Sequence, residues 1–278
     1  MIFLAGAIAA NLCMTFLMKY SESHNGHRYA LNIWNYLAGA IFSFTLLADK
    51  TQILWLEDGG ITLLAGVFNG ILYVAGLVLT QINIVRNGAP LSSTFGRLGV
   101  IIPTILSAIF FLEIPGGVQI LGLVLAIAAI IYMNTGSKED QPSFRLGLIL
   151  TFISGGIGDF VNKIYSMYYD ETAQTYFVMY TFFFAMIVSI IMFVRDKSKM
   201  TLQDAIIGVC VGVPNQLTAL LVLKASMTIP AFIVYPTYSA GIIIFVNIIN
   251  YLVFKEKLSK RQYIATVLIA IAIICINL

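Results

Sequence analysis

The sequence predicts an all-α membrane protein, ten transmembrane helices arranged as two inverted five-helix repeats, and three observations carry that expectation. Hydrophobic residues make up 59% of the 278 residues and charged residues only 10%, against about 25% charged in soluble domains. Mean hydropathy is +0.92. The apolar residues gather into ten runs, each long enough to span a core of about 30 Å at about 1.5 Å per helical residue. Finally, the chain matches itself when one half is shifted onto the other.

The runs follow one another with short polar connections. The first, 1–18, starts at Met1 without a basic n-region and reads as a helix instead of a cleaved signal peptide. Next come 31–48, where Trp34 suits an interfacial anchor, and 60–82, preceded by a second such anchor, Trp55. The fourth run, 91–112, carries Arg97, about ten residues into an apolar stretch that begins near Gly88 and ends near Glu113; 117–134 is apolar apart from Gln119 and Asn134. After the polar linker Thr135 to Ser143 (TGSKEDQPS) come 146–168, 174–194, 205–225, 231–254 and 262–278. Pro103, Pro214 and Pro236 stand inside spans, as kinks or as hinges. The Gly155, Gly156 and Gly158 cluster permits close helix approach; no strand precedes it, so it does not read as a phosphate loop.

Domain organisation follows from the internal match. A shift of 143 places Glu113 on Glu256, Gln119 on Gln262, Val124 on Val267, Ala129 on Ala272 and Asn134 on Asn277, with eight identities over the 22 positions from Glu113 to Asn134. Lys19 falls on Lys163 at a shift of 144. The expected organisation is a first repeat at 1–134, a linker at 135–143 and a second repeat at 144–278. With five helices in each half, the second enters the membrane inverted, an architecture from which alternating access follows. Twelve of the sixteen basic residues lie in the connections after odd-numbered spans. The positive-inside rule then puts those loops in the cytoplasm and both termini outside a plasma (inner) membrane.

Polar residues at helical spacing inside the spans point to a wet interior. The fourth run has Ser93, Arg97, Thr104 and Ser107; the sixth has Gly155, Asp159, Asn162 and Ser166, with Lys163 beside them. Asn11 and Thr15 mark the first, Asn69 and Tyr73 the third, Asn215 and Thr218 the eighth, and Ser239, Asn247 and Asn250 the ninth. Each alone can cross-link helices at about 0.6 kcal/mol, whereas the set suits a solvated cavity. A charged arginine at this depth costs on the order of 3 kcal/mol, so it faces water, an acid or a substrate. Two readings stand for Arg97: a functional one, as a contact with a substrate carboxylate or phosphate or as a gate, and a structural pair with Asp159. Tyr73, Phe95, Tyr235 and Tyr238 could enclose an organic substrate or simply pack. Lys19 and Lys163, near helix ends, can snorkel to the headgroups.

The opening FLAGAIAANLCMTFLMKYSES (Phe3 to Ser23) resembles the first helix of the small multidrug resistance family, and Tyr235 to Leu278 resembles that family's last two helices. Its Tyr-x-x-Trp-Ser pattern stands here as Tyr235, Tyr238 and Ser239. Ten helices in two halves resemble the larger drug/metabolite transporter superfamily of EamA type. The chain departs from the small family where that family's acid, eight positions before the helix-one lysine, would bind protons and cationic drugs. That position is Asn11, its repeat counterpart is Gly155, and the nearest carboxylate is Asp159. In the other half the aromatic pattern reads Ser92, Phe95 and Gly96, and Arg97 replaces a glycine of the family.

Together these readings imply a secondary transporter exporting a small carboxylate or zwitterionic, amino-acid-like metabolite by proton-coupled alternating access. Arg97, Asn11, Asn69, Tyr73, Ser93, Phe95, Tyr235, Tyr238, Ser239 and Asn215 are the candidate substrate contacts, and Asp159 and Lys163 the coupling groups. The alternatives are a proton-coupled exporter of quaternary ammonium or guanidinium drugs and a flippase for a lipid-linked phosphate. The expected partners are the substrate, protons and the bilayer, in a monomer or homodimer, with no nucleic acid. Enzyme chemistry has little support: no nucleophile, histidine and acid lie together, and His24, His27 and Glu22 in a loop make a poor metal set. Cys13, Cys210 and Cys275 lack CxxC spacing, so neither a disulfide nor a metal site is expected, and no Gly-rich nucleotide motif points to a cofactor.

Overall fold

The structure is a computed structural model that describes residues 1–24, 26–47, 50, 58–87, 89–134, 144–197, 199–252, 255 and 259–278, with the backbone alone at residues 22, 23, 81, 89–91, 93 and 134. The linker 135–143, Trp55 and Glu256 lie outside the described residues. Among the described residues the regular elements are eleven helices: α1 (Ile2–Ser23), α2 (Arg28–Leu46), α3 (Gly59–Asn87), α4 (Ala89–Leu98), α5 (Ile101–Phe110), α6 (Gly117–Asn134), α7 (Arg145–Tyr168), α8 (Glu171–Asp196), α9 (Leu202–Thr228), α10 (Ala231–Leu252) and α11 (Lys260–Asn277). All ten predicted runs fall on helices, and the fourth is divided into α4 and α5. By length and composition α1, α3, α8, α9, α10 and α11 can each cross a membrane.

These helices form two compact units, Met1–Val74 with Ile164–Met227, and Ala75–Lys163 with Thr228–Leu278. The divisions fall inside α3 and α7, so each unit draws on both halves of the sequence.

In the first unit α2 lies along α8. Phe182 meets Tyr36 edge-on at 5.7 Å between ring centroids, and its ring covers Gly39, where a β-carbon would have no room. Gly208 and Gly212 of α9 sit over the main-chain oxygens of Leu31 and Asn35, the small-residue spacing that lets membrane helices touch backbone to backbone. Side-chain amides add cross-links: Asn215 Nδ2 donates to Asn35 Oδ1 at 3.1 Å and Gln216 Nε2 to Ser43 Oγ at 3.0 Å. Asp204 at the start of α9 accepts from the His27 N–H (2.7 Å) and from Thr201 N–H and Oγ1 (2.9 and 2.7 Å), tying the entry of α2 to α9.

In the second unit α6 packs against α11 and both meet α10. Gly122 fits against the Ala272 carbonyl, and Ala129, Ile130, Ala240, Ile243 and Ile269 form the shared core. Asn247 donates to Thr266 (2.9 Å) and Asn277 to Thr237 (3.2 Å), fastening α10 to α11. Gln119 and Gln262, which mark the internal match, do the same task. Each is the third residue of its helix and reaches back to the N–H of the preceding cap residue, Gly116 or Ser259, at 2.8 Å. Elsewhere in the unit Asn87 accepts from Phe144 N–H (2.9 Å) and donates to Asn83 (2.9 Å), which donates to Thr151 (2.8 Å); this chain of amides joins α3 to α7.

Candidate functional site

The fourth predicted span is interrupted at Gly99 and Val100, and proline chemistry supplies a cause. Pro103 has no N–H to give the Gly99 carbonyl, so a regular α-helical bond from residue 103 to residue 99 cannot form. Ile102 N–H donates to that carbonyl instead, at 3.0 Å, tightening the turn. Thr104 then covers the Val100 carbonyl with both its N–H (3.3 Å) and its hydroxyl (2.8 Å). Tertiary packing also holds the break. A β-carbon on Gly156 of α7 would come within 2.6 Å of the Gly99 oxygen, so only a glycine lets the two segments approach this closely.

Arg97 lies in the last turn of α4, immediately before the break. The carbonyl end of a helix carries partial negative charge, which favours a cation there. The side chain is half-buried, and the Tyr238 phenol is within electrostatic reach of its guanidinium.

Helices α7 and α10 carry the other candidate groups of this unit. Asp159, one turn beyond Gly155 and Gly156, is half-buried. Tyr235 is fully buried and donates its hydroxyl to the Asp159 main-chain oxygen at 2.6 Å, which locks α10 against α7. Tyr238 and Ser239, three and four residues on, share that face of α10. The Ser239 side chain is 3% exposed, and its hydroxyl has no hydrogen-bond partner among the described residues. Among the described residues no ion pair joins Arg97 to Asp159, and neither side chain has another salt-bridge partner. Chemically Arg97 offers a planar donor fork that suits an anion; Asp159 stands on α7, and no contact between the two side chains is found among the described residues.

The sequence model of the EamA-like transporter family matches residues 1–135 and again 145–278. The chain belongs to the EamA-like transporter family. It is accordingly a multi-pass membrane transporter of the drug/metabolite superfamily. This EamA-like chain is 25% identical over 283 residues to an uncharacterized protein of Haemophilus influenzae, covering 97% of the chain and 95% of that protein. A crystal structure of another protein shares the fold, with a TM-score of 0.77 over 99% of this chain and 94% of the other at 10% identity.

Lys163, expected among the coupling groups or snorkelling outward, is 1% exposed in this EamA-like structure and pairs with Glu113 at 2.7 Å. The second Glu113 oxygen accepts from Ala231 N–H at 2.7 Å, and Lys163 Nζ donates to the Ile229 carbonyl at 3.4 Å. The carboxylate thus caps the positive end of α10 while neutralising a buried ammonium. Snorkelling does not occur because the nearest compensation is an acid held inside the same unit. Sequence reasoning registered Glu113 only as a marker of the repeat; its partner became visible once α7 and the turn after α5 were brought together.

The remaining candidates belong to the first unit or to the edge of the break. Asn69 is buried and donates to Thr181 Oγ1 at 3.4 Å, Tyr73 meets Phe182 edge-on at 6.3 Å, Asn215 pairs with Asn35, and Asn11 takes the Thr15 hydroxyl on its main-chain oxygen at 2.8 Å. Phe95 is half-buried on α4, and the Ser93 side chain lies outside the described residues. Asn83, Asn87 and Thr151 were missed as a group; the four-residue spacing of the two asparagines was the signal in the sequence.

Proposed function

We propose that this EamA-like transporter exports a small organic metabolite with a carboxylate or zwitterionic headgroup, amino-acid-like in size. The observation that carries the reading is Arg97: a guanidinium at the end of a broken membrane helix, with no ion pair among the described residues. Arg97 grips the headgroup carboxylate, Tyr238 and Phe95 border it, and Asp159 takes either the substrate ammonium or the coupling proton. Discontinuous helices are where transporters meet charged substrates, because the interruption frees backbone groups and dipole ends at membrane depth. The two matches of the family model and the equivalent caps at Gln119 and Gln262 support two related halves; the odd number of predicted spans in each half supports their inversion and alternating access, and the distribution of basic residues supports a plasma membrane with both termini outside.

The test is a thermal-shift screen of amino acids and organic acids on the purified protein and on Arg97→Ala, followed by transport in proteoliposomes under a pH gradient. A ligand whose shift disappears in Arg97→Ala, and which moves against a proton gradient, is the expected result. Tolerance to quaternary ammonium compounds that is lost in Asp159→Asn, with no response to any acid, would assign a cationic substrate instead.

A further inference from the structure

A groove of about 890 Å³ opens between α10 and α11 in the second unit, beside the connection that joins them. The hydrogen bonds from Asn247 to Thr266 and from Asn277 to Thr237 set the two helices antiparallel. Lys260, Tyr251 and Tyr263 therefore stand at the connection end of the groove, and Val267 lies two helical turns, about 10 Å, beyond Lys260. Along that depth the walls change from charged and phenolic to aliphatic, with Ile248, Ile264 and Val267 all exposed. A bilayer passes from headgroups to chains in the same order, with tyrosines gathered at the interface. The charge at the mouth is what lacks a partner. Lys255, Lys260 and Arg261 are exposed, and among the described residues none of them has an ion pair. Lys260 and Arg261 also occupy the first turn of α11, which contains no acid. The amino end of a helix carries partial positive charge, so two cations there oppose the dipole and an anion is favoured. Plain hydrocarbon would cover the walls and leave this excess charge, whereas a small soluble anion would meet the charge and leave the walls bare.

We propose that this groove binds an anionic phospholipid of the surrounding bilayer, with its phosphodiester against the Lys260 ammonium and one acyl chain along Ile248, Ile264 and Val267. Tyr251 and Tyr263 flank the headgroup. Basic residues beside a membrane helix attract anionic lipid, and a groove that also takes a chain turns that attraction into a site. The bound lipid bridges α10 and α11, and the site depends neither on Arg97 nor on the identity of the transported substrate.

The experiment compares binding of dioleoyl phosphatidylglycerol and dioleoyl phosphatidylcholine to the full-length protein in detergent, by native mass spectrometry and by thermal shift. The wild type is expected to retain phosphatidylglycerol preferentially and to melt higher with it. Lys260→Gln should cut that preference about fivefold, the factor that one cation near a membrane surface contributes. Lys199→Gln, which removes an exposed cation of the first unit, should leave it unchanged. Val267→Trp fills the groove without altering its charge and should weaken phosphatidylglycerol binding at least as much; Ile264→Trp, nearer the mouth, repeats the test from a second exposed position. Equal retention of the two lipids by the wild type, or equal losses in Lys260→Gln and Lys199→Gln, would reduce the effect to unselected lipid or diffuse surface charge and overturn the proposal. Full binding in both tryptophan variants overturns it as well, as does glycerol 3-phosphate displacing the lipid at equal concentration, because either result leaves the chain out of the groove. A dimer of the purified protein that both tryptophan variants dissolve, with no lipid preference, overturns it by giving the groove to a second copy of the chain.

Discussion

Lys163 Nζ lies 2.7 Å from Glu113 Oε1, and this single ion pair fastens α7 to the turn after α5 and to the first residue of α10. Both groups are largely withdrawn from the surface, at 1% and 14% side-chain exposure. Their attraction offsets a desolvation cost that neither could bear alone.

Glu113→Gln should leave a buried ammonium without a counter-charge and destabilise the protein by about 3–5 kcal/mol. Lys163→Met should act in the same direction. The double variant should recover most of the loss, because the introduced amide oxygen can still accept from the Ala231 N–H and no charge remains buried. Melting temperatures of the four proteins in one detergent close the cycle; strictly additive effects would deny the coupling.

Gly155 and Gly156 are adjacent yet should respond oppositely. A β-carbon at Gly156 meets the Gly99 oxygen at 2.6 Å and Ile102 at 2.5–2.6 Å, whereas nothing lies within 4 Å of one at Gly155. Gly155→Ala should therefore be neutral or stabilising by about 0.5–1 kcal/mol through helix propensity, and Gly156→Ala should lower the melting temperature and the yield of folded protein. Equal behaviour of the two variants would contradict the close approach of α4–α5 to α7.

Pro103→Ala restores an N–H that can reach the Gly99 carbonyl and favours a continuous helix through the break. Stability should rise, by about 1 kcal/mol or more, while transport falls, because the carbonyl and the orientation of Arg97 at the interruption are altered. The two readouts are unfolding temperature and proteoliposome flux, and their opposite signs are the expected signature.

Arg97→Lys keeps the charge but loses the two-pronged geometry. Loss of one charge-assisted hydrogen bond corresponds to about 1.5–3 kcal/mol, so binding of a carboxylate ligand should weaken about 10- to 100-fold, with Arg97→Ala weaker still. Binding by titration calorimetry checks this, and indifference of both variants would remove Arg97 from the site.

Much of the architecture was legible in the sequence for reasons that are local. Apolar runs of membrane length can hardly be anything but helices, since backbone polar groups in hydrocarbon must bond within their own segment. Arg97, Asp159 and Tyr238 stood out because a polar side chain at that depth is expensive wherever the helix then packs. The division of the fourth span was half visible: Pro103 and Gly99 were in plain view, but a proline in the first turn of a helix is common and does not by itself break one.

What the sequence determined alone was the membrane class, the ten runs and a short inventory of buried polar groups, because each depends on residues near one another in the chain. Tertiary structure decided their use. Whether Gly99 ends a helix depends on the α7 backbone that a side chain at Gly156 would displace, and whether Lys163 reaches water or an acid depends on Glu113, which folding brings to it from the turn after α5. Helix formation follows from local hydrogen bonding, whereas partnership between distant charges and close backbone approach exist only after the helices have packed.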